Sequence, residues 1–237
     1  MIRLDKYLCD MNIGTRSNVK QLIKKGNVTV NDFVIKNSDF KVAVTDKICV
    51  NGRSITYQKY FYYMLNKPAG YVSATVDPKE TTVMTLLKEY NRPDLFPVGR
   101  LDKDTEGLLL LSNDGMFAHD LLSPKKHISK NYFAILKEPI HDEQIVQLES
   151  GLDIGEKNIT LPAIIEKLDH TSLNISITEG KFHQIKRMFE AVSNNVIYLK
   201  RISMGKIMLD ERLSPGEFRP LTEEEITILK TYVKRED

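Results

Sequence analysis

The chain has 237 residues, 41% of them hydrophobic and 28% charged, with a net charge of +2, a balance that suits one large soluble domain or a small domain joined to a medium one. No apolar run approaches the ~18 residues of a membrane helix, and the opening Met-Ile-Arg-Leu-Asp-Lys lacks the apolar core of a secretory signal, so a cytoplasmic protein is expected. Two cysteines, Cys9 and Cys49, and five scattered histidines make no metal-ligand spacing, so reduced thiols and no metal are expected.

Charge is segregated along the chain. Residues 1–59 hold 11 Lys/Arg against 5 Asp/Glu, or +6, while residues 60–237 hold 23 against 27, or −4. A basic first quarter suits contact with a phosphate backbone. In that part, Leu4, Tyr7, Leu8 and Met11 at i, i+3, i+4, i+7 predict a helix over Arg3–Met11. Gly14-Thr15 breaks it, and a second helix is predicted from Arg16 to Lys25, closed by Gly26. Val19, Leu22 and Ile23 form its inward stripe. Arg16, Lys20 and Lys24 recur every four residues and share one outward ridge, which either follows successive phosphates or is a solvated face. Alternating short strands are predicted at Asn27–Asn31 and Lys47–Asn51. Arg3-Leu4-Asp5-Lys6-Tyr7-Leu8, Ser17, Gln21-Leu22-Ile23, Gly26, Val28 and Val30-Asn31 together resemble the S4 RNA-binding domain, with Asp32 departing from the usual Gly. The resemblance implies RNA contacts from Arg3, Arg16, Lys20 and Lys24. This first domain is assigned to residues 1–58.

The second part, residues 60–237, opens on the aromatic-apolar run Tyr60–Leu65, a predicted buried strand. Further strands are predicted at Leu108–Ser112, Lys130–Lys137, Ala163–Lys167, Leu173–Ile177 and Lys206–Leu209. Short turns such as Leu168-Asp169-His170-Thr171 favour a mixed, mostly antiparallel sheet flanked by helices, an α+β fold. Ile185, Met188, Phe189 and Val192 predict a helix over His183–Val192. Thr222-Glu223-Glu224-Glu225 is a capping box and Leu221 with Ile226 a hydrophobic staple, opening a last helix striped by Ile226, Leu229 and Val233. No phosphate-cradling glycine motif follows a strand, which disfavours a nucleotide cofactor.

Gly99-Arg100-Leu101-Asp102-Lys103-Asp104-Thr105-Glu106-Gly107 leads directly into Leu108-Leu109-Leu110-Leu111. It sets a carboxylate on a Gly-bounded turn, with packing behind it and open space in front. An Asp with a reference pKa of about 3.9 is ionised at neutral pH and can act as nucleophile or electrostatic partner. The plainer alternative is that Asp102 and Asp104 only cap a turn. If the chain there is extended, Arg100 shares a face with Asp102, as a phosphate contact, as a wedge in the vacated position, or as one side of a salt bridge within the loop.

Five segments in order resemble the RNA pseudouridine synthases: Leu65-Asn66-Lys67-Pro68-Ala69-Gly70-Tyr71, Gly99–Gly107, Lys130-Asn131-Tyr132, Glu179-Gly180-Lys181-Phe182-His183-Gln184-Ile185-Lys186-Arg187-Met188-Phe189, and Leu199-Lys200-Arg201 with Gly205. The resemblance implies catalysis by Asp102, an active-site Tyr132, a basic partner for the aspartate in Lys186, and Leu199 packed on the flipped base. The reaction breaks N1–C1′ and rejoins the base through C5 with no net redox change, so no cofactor is implied. On its helix Lys186 lies about 100° from Ile185 and borders the core, while Arg187 lies about 200° away and is expected to face solvent or RNA. The alternative for Lys186 is a surface pair with Glu190. Leu65-Asn66-Lys67-Pro68, the Asp77-Pro78 segment and the compact length are most similar to family members acting on 16S rRNA. The expected partner is therefore ribosomal RNA, met by a monomer. Rival readings are a 23S rRNA synthase, a non-catalytic S4 assembly factor, and a small-molecule enzyme with an RNA-binding appendage.

Overall fold

The structure, a computed structural model, describes residues 1–90, 92 and 94–232, with the backbone alone at 88–90. The chain forms two compact units. One holds Met1–Tyr60 and takes in Glu89, Tyr90 and Arg92; the other holds Phe61–Lys88 and the described residues from Asp94 onward.

In the first unit, β1 (Ile2–Arg3) leads into α1 (Leu4–Asp10) and α2 (Arg16–Lys24). Both helices stop a residue or more short of the limits that periodicity predicts. Arg3 is extended and pairs with Lys41 of β4 (Lys41–Val42). The Thr15 side chain accepts from the Asn18 amide at 3.3 Å and caps α2. The remaining strands are β2 (Val28–Val30), β3 (Phe33–Val34), β5 (Ile48–Val50) and β6 (Arg53–Ile55), in the antiparallel order β3-β2-β5-β6. Leu4, Tyr7, Leu8, Val19 and Ile23 from the helices bury against Val28, Val30, Ile48 and Val50. Asp32, standing in place of the expected Gly, takes φ +69° after Asn31 at +50°, a pair of left-handed residues that Asn and Asp tolerate.

The second unit is built on one sheet. Its strands are β7 (Tyr62–Lys67), β8 (Phe96–Val98), β9 (Glu106–Ser112), β10 (Lys130–Leu136), β11 (Ile164–Lys167), β12 (Ser172–Ile177), β13 (Val196–Met204), β14 (Ile207–Met208) and β15 (Phe218–Pro220). The order is β11-β12-β10-β13-β9-β7-β15, with β14 added on β13 and β8 on β9. All pairings are antiparallel except β9 with β13, which run parallel through Lys200–Glu106 and Arg201–Gly107. The Leu108–Leu111 run is buried throughout, as an interior strand covered on both faces requires.

Helices α3 (Gly115–Leu122), α4 (Asp142–Ser150), α5 (Gln184–Ala191) and α6 (Glu223–Tyr232) flank the sheet. α5 docks the predicted stripe Ile185, Met188, Phe189 and Val192 against Tyr132, Ala134, Ile175 and Leu199. The capping box of α6 forms as predicted: the Glu225 amide donates to Thr222 Oγ1 at 3.2 Å and the Thr222 amide donates to Glu225 Oε2 at 2.7 Å. Val233, predicted to continue its stripe, lies outside the described residues. Among the described residues no helix is long and apolar enough to cross a membrane.

Candidate active site

The turn before β9 is held from behind by β7 and the segment that follows it. Lys67 ends β7 with no exposed surface, and its ammonium donates to the carbonyls of Thr105 (2.7 Å), Pro68 (3.1 Å) and Lys103 (3.2 Å). The Gly70 amide donates to the Lys103 carbonyl at 2.7 Å. Ser73 Oγ both donates to the Leu101 carbonyl and accepts from the Leu101 amide, at 2.9 and 3.0 Å. Within the turn the Thr105 amide donates to the Asp102 carbonyl at 3.1 Å. Lys67 and Gly70 of the Asn66-Lys67-Pro68-Ala69-Gly70 motif thus hold the carbonyls of Lys103 and Thr105, while Ser73, beyond the motif, holds Leu101. Burial pushes the Lys67 ammonium down to about 8, against the pull of Asp104, Asp102 and Glu106.

Gly107 closes the turn at φ +97°, and a Cβ there would sit 2.2 Å from the Arg201 carbonyl oxygen. Only glycine lets β9 come this close to β13. That approach carries the Asp102 turn alongside Leu199 and Arg201.

The Asp102 carboxylate emerges 26% exposed and meets two groups of the α5 region. Lys186 Nζ lies 3.4 Å from Oδ2, and His183 Nε2 lies 3.6 Å from Oδ1. The same ammonium hydrogen-bonds Asp104 Oδ1 at 2.5 Å, so Lys186 is shared by two carboxylates and makes its shorter contact with Asp104. Burial works against ionising Asp104, but the Lys186 hydrogen bond and charge outweigh it and hold that carboxyl below its ordinary range. The ion pairs of Lys186 among the described residues are with these two aspartates, not with Glu190.

Asp102 opens into a cavity of about 920 Å3, whose lining includes Arg100, Tyr132, Lys186, Leu199, Lys130 and Arg201. That volume falls in the range of small-molecule pockets. Tyr132 is buried on β10, beside Ile175 of β12 and Arg201 of β13. Leu199 is buried on β13. Arg100 is exposed at the rim and makes no ion pair among the described residues, so the salt bridge within the loop is not formed.

One expectation changes. Arg187 does not turn to solvent or line the cavity; it braces a loop. Its guanidinium donates to the carbonyls of Ile154 and Phe182 (the latter at 3.0 Å) and pairs with Glu156 at 2.8 Å. Helical angle alone could not reveal this, because the Ile154–Glu156 loop folds over that face of α5. Arg3 stays exposed while pairing with buried Asp5 at 2.8 Å and with Asp39 at 2.5 Å. Arg16, Lys20 and Lys24 are exposed on α2 as the spacing predicts.

Lys67, Asp104, His183, Lys130 and Arg201 are the residues that the sequence reading left without a role. Lys130 donates to the Ile128 carbonyl at 2.9 Å, and burial, with the nearby Arg201 charge, pushes it down to about 8 while Glu179 opposes. Buried Arg201 donates its Nε to the Leu108 carbonyl at 2.7 Å. The cavity thus has an acid fixed on a rigid turn, cations beside it and along the wall, and an aromatic ring. Such a wall stabilises negative charge that develops during bond cleavage, because the donors are already oriented and poorly hydrated. Among the described residues no cluster of three His, Cys, Asp or Glu could hold a metal ion.

Comparison with known proteins gives this geometry its context. The family model for RNA pseudouridylate synthase matches residues 61–191, and that for the S4 domain matches residues 2–48. The "Uncharacterized RNA pseudouridine synthase YtzG" of Bacillus subtilis is 48% identical over 236 residues, covering 96% of this chain and 98% of the relative. The "Ribosomal small subunit pseudouridine synthase A" of Vibrio cholerae is 46% identical and that of Escherichia coli 40% identical, each covering 95% of this chain and 98% of the relative. A solved structure described as a pseudouridylate synthase superposes with a TM-score of 0.69 at 37% identity, covering 97% of this chain and 100% of its own. The chain belongs to the RNA pseudouridylate synthase family, with an S4 domain at its N-terminus.

Proposed function

We propose that the protein isomerises a specific uridine of 16S ribosomal RNA to pseudouridine, acting as a cytoplasmic monomer. The observation that carries the chemistry is the Asp102 carboxylate, 3.4 Å from Lys186 Nζ on a turn pinned by Lys67 and opening into a nucleotide-sized cavity. The choice of rRNA rests on relatives of 40–46% identity whose names specify the small ribosomal subunit. The α2 ridge of Arg16, Lys20 and Lys24 supplies phosphate contacts. Arg100 contacts the backbone beside the extruded nucleotide, Tyr132 faces the flipped uracil, and Leu199 packs against it.

In this reading Asp102 acts at the sugar or the base while the N1–C1′ bond breaks. The negative charge left on uracil faces Lys130 and Arg201 on the cavity wall. Rotation of the base and formation of C5–C1′ follow. The hydrogen on C5 leaves as a proton and N1 gains one, so the product is an isomer. Lys186, itself held by Asp104, orients the Asp102 carboxylate throughout.

The test is release of tritium from 5-3H-uridine-labelled 16S and 23S rRNA by wild type and Asp102→Asn. Release from 16S by wild type, reduced at least about 10³-fold in the variant, is the expected result. Equal release by both proteins would overturn the catalytic role of Asp102. Release from 23S alone would transfer the activity to the large subunit.

A further inference from the structure

One conspicuous part of the cavity rim has no part in the chemistry above. Phe182 is 70% exposed, yet it lines the same cavity as Asp102. Its ring stacks on His183 with centroids 3.8 Å apart and planes 20° apart, and His183 in turn meets Asp102. One face of Phe182 is covered by the imidazole, so the exposed surface is the opposite face and the edge.

The segment carrying this ring is rigidly tied. Buried Gln184 accepts from the Lys181 amide at 2.9 Å and donates to Glu179 at 2.9 Å. The Lys181 ammonium donates to the carbonyls of Asn158 and Ile159, at 2.7 and 2.9 Å. Arg187 holds the Phe182 carbonyl, and His183 sits at φ +50°, a left-handed conformation that ordinary residues enter only under constraint. An exposed aromatic ring on a fixed backbone has little freedom left to lose on binding, which makes it a good anchor.

We propose that Phe182, backed by His183, is a stacking platform for the base of a nucleotide adjacent to the target uridine. Extruding one nucleotide leaves its neighbours unstacked on one side, and a flat apolar face at the mouth of the receiving cavity replaces the lost partner. The ring accepts any base, because every base has a π face. The exposed cation Arg100 at the same rim suits a phosphate-bearing ligand. The platform extends the stack as base, Phe182, His183, and ends at the Asp102 carboxylate.

The proposal rests on an RNA uridine being the substrate, and tritium release by wild type reports that premise separately. Synthetic hairpins are made from the rRNA segment in which wild type releases tritium. One nucleotide at a time on either side of the target is replaced by an abasic ribose, and Kd is measured for wild type, Phe182→Ala and Phe182→Tyr. Phe182→Ala is expected to weaken binding of the intact hairpin about 5- to 150-fold, and Phe182→Tyr to restore most of it. One flanking abasic hairpin should bind wild type as weakly as the intact hairpin binds Phe182→Ala, with no further loss when both changes are combined. The idea is overturned by unchanged affinity of Phe182→Ala, by losses that add at every flanking position, or by coupling that appears at the target nucleotide itself. The ring is exposed, so the alanine variant keeps its fold, which circular dichroism checks.

Discussion

Replacing Lys67 with methionine separates the buried ammonium from the turn that it anchors. The group has no exposed surface and donates to three carbonyls. Burial lowers it from 10.5 to about 8, a preference for the neutral amine worth about 3 kcal/mol. The folded-state value lies below the unfolded one, so unfolding takes up a proton between pH 8 and 10.5 and wild-type stability rises with pH across that window. Below pH 8 the cost of the buried charge is present in full. The Lys67→Met variant has no such group, while Lys130 and every other titrating residue are common to both proteins and cancel. The expected result is that wild type gains up to about 3 kcal/mol over Lys67→Met between pH 7 and pH 10.5. At pH 7 the variant loses donors to the carbonyls of Pro68, Lys103 and Thr105, at about 1–3 kcal/mol for each left unsatisfied, offset by release of the charge. Urea unfolding of both proteins across that pH range measures the difference. A difference that stays flat with pH would refute the reasoning.

Lys186→Met removes the cation shared by Asp102 and Asp104 and is expected to slow tritium release about 10²- to 10³-fold, the usual effect of losing one oriented electrostatic partner. Arg187→Ala is expected to lower the thermal midpoint by freeing the Ile154–Glu156 loop while leaving the salt dependence of RNA affinity unchanged; a shallower salt slope would return it to the RNA surface. The pair Lys20→Glu with Lys24→Glu should weaken RNA binding and reduce the slope of log K against log salt by roughly 0.7–0.9 per lost phosphate contact. Gly107→Ala drives a Cβ into the Arg201 backbone at φ +97°. Its cost in urea unfolding should be about 2–5 kcal/mol, combining overpacking with left-handed strain, and a cost below about 1 kcal/mol would contradict the close approach.

Apolar periodicity was most informative where an element buries one clean face. The stripe of α5, the leucine run of β9 and the capping box of α6 all form where the sequence places them. β13, the longest strand and one of the most central, was not legible, because Tyr198, Lys200 and Arg201 interrupt its apolar pattern. Arg201 is buried all the same, since it donates to the Leu108 carbonyl, and no local rule anticipates a partner 93 residues away. α4 was missed because it follows His141 rather than Ser, Thr, Asp or Asn; Gln144 Oε1 instead reaches back to the His141 amide at 3.0 Å.

The place of Asp102 before a fully apolar run made it a candidate, but its catalytic role, like those of Tyr132 and Lys186, was reached through resemblance of short motifs. Lys67, Asp104 and His183 lie within the same motifs, but nothing in the sequence set them apart from their neighbours there. Burial of a lysine at a strand end, or an ion pair between charged residues 82 positions apart, depends on side-chain geometry that composition does not encode. The nearest hint for Lys67 was its place in the Leu65-Asn66-Lys67-Pro68 motif, two residues beyond the predicted strand.

The parallel pairing of β9 with β13 has a consequence for how the protein comes into being. Gly107 must find Arg201 before the acid is presented correctly, and contacts so distant along the chain are slow to form. The S4 unit, by contrast, is built almost wholly from the first sixty residues and can mature early on the ribosome. A newly made molecule is therefore expected to gain its grip on nucleic acid before it gains the power to alter a base, with catalytic competence marking the end of its assembly.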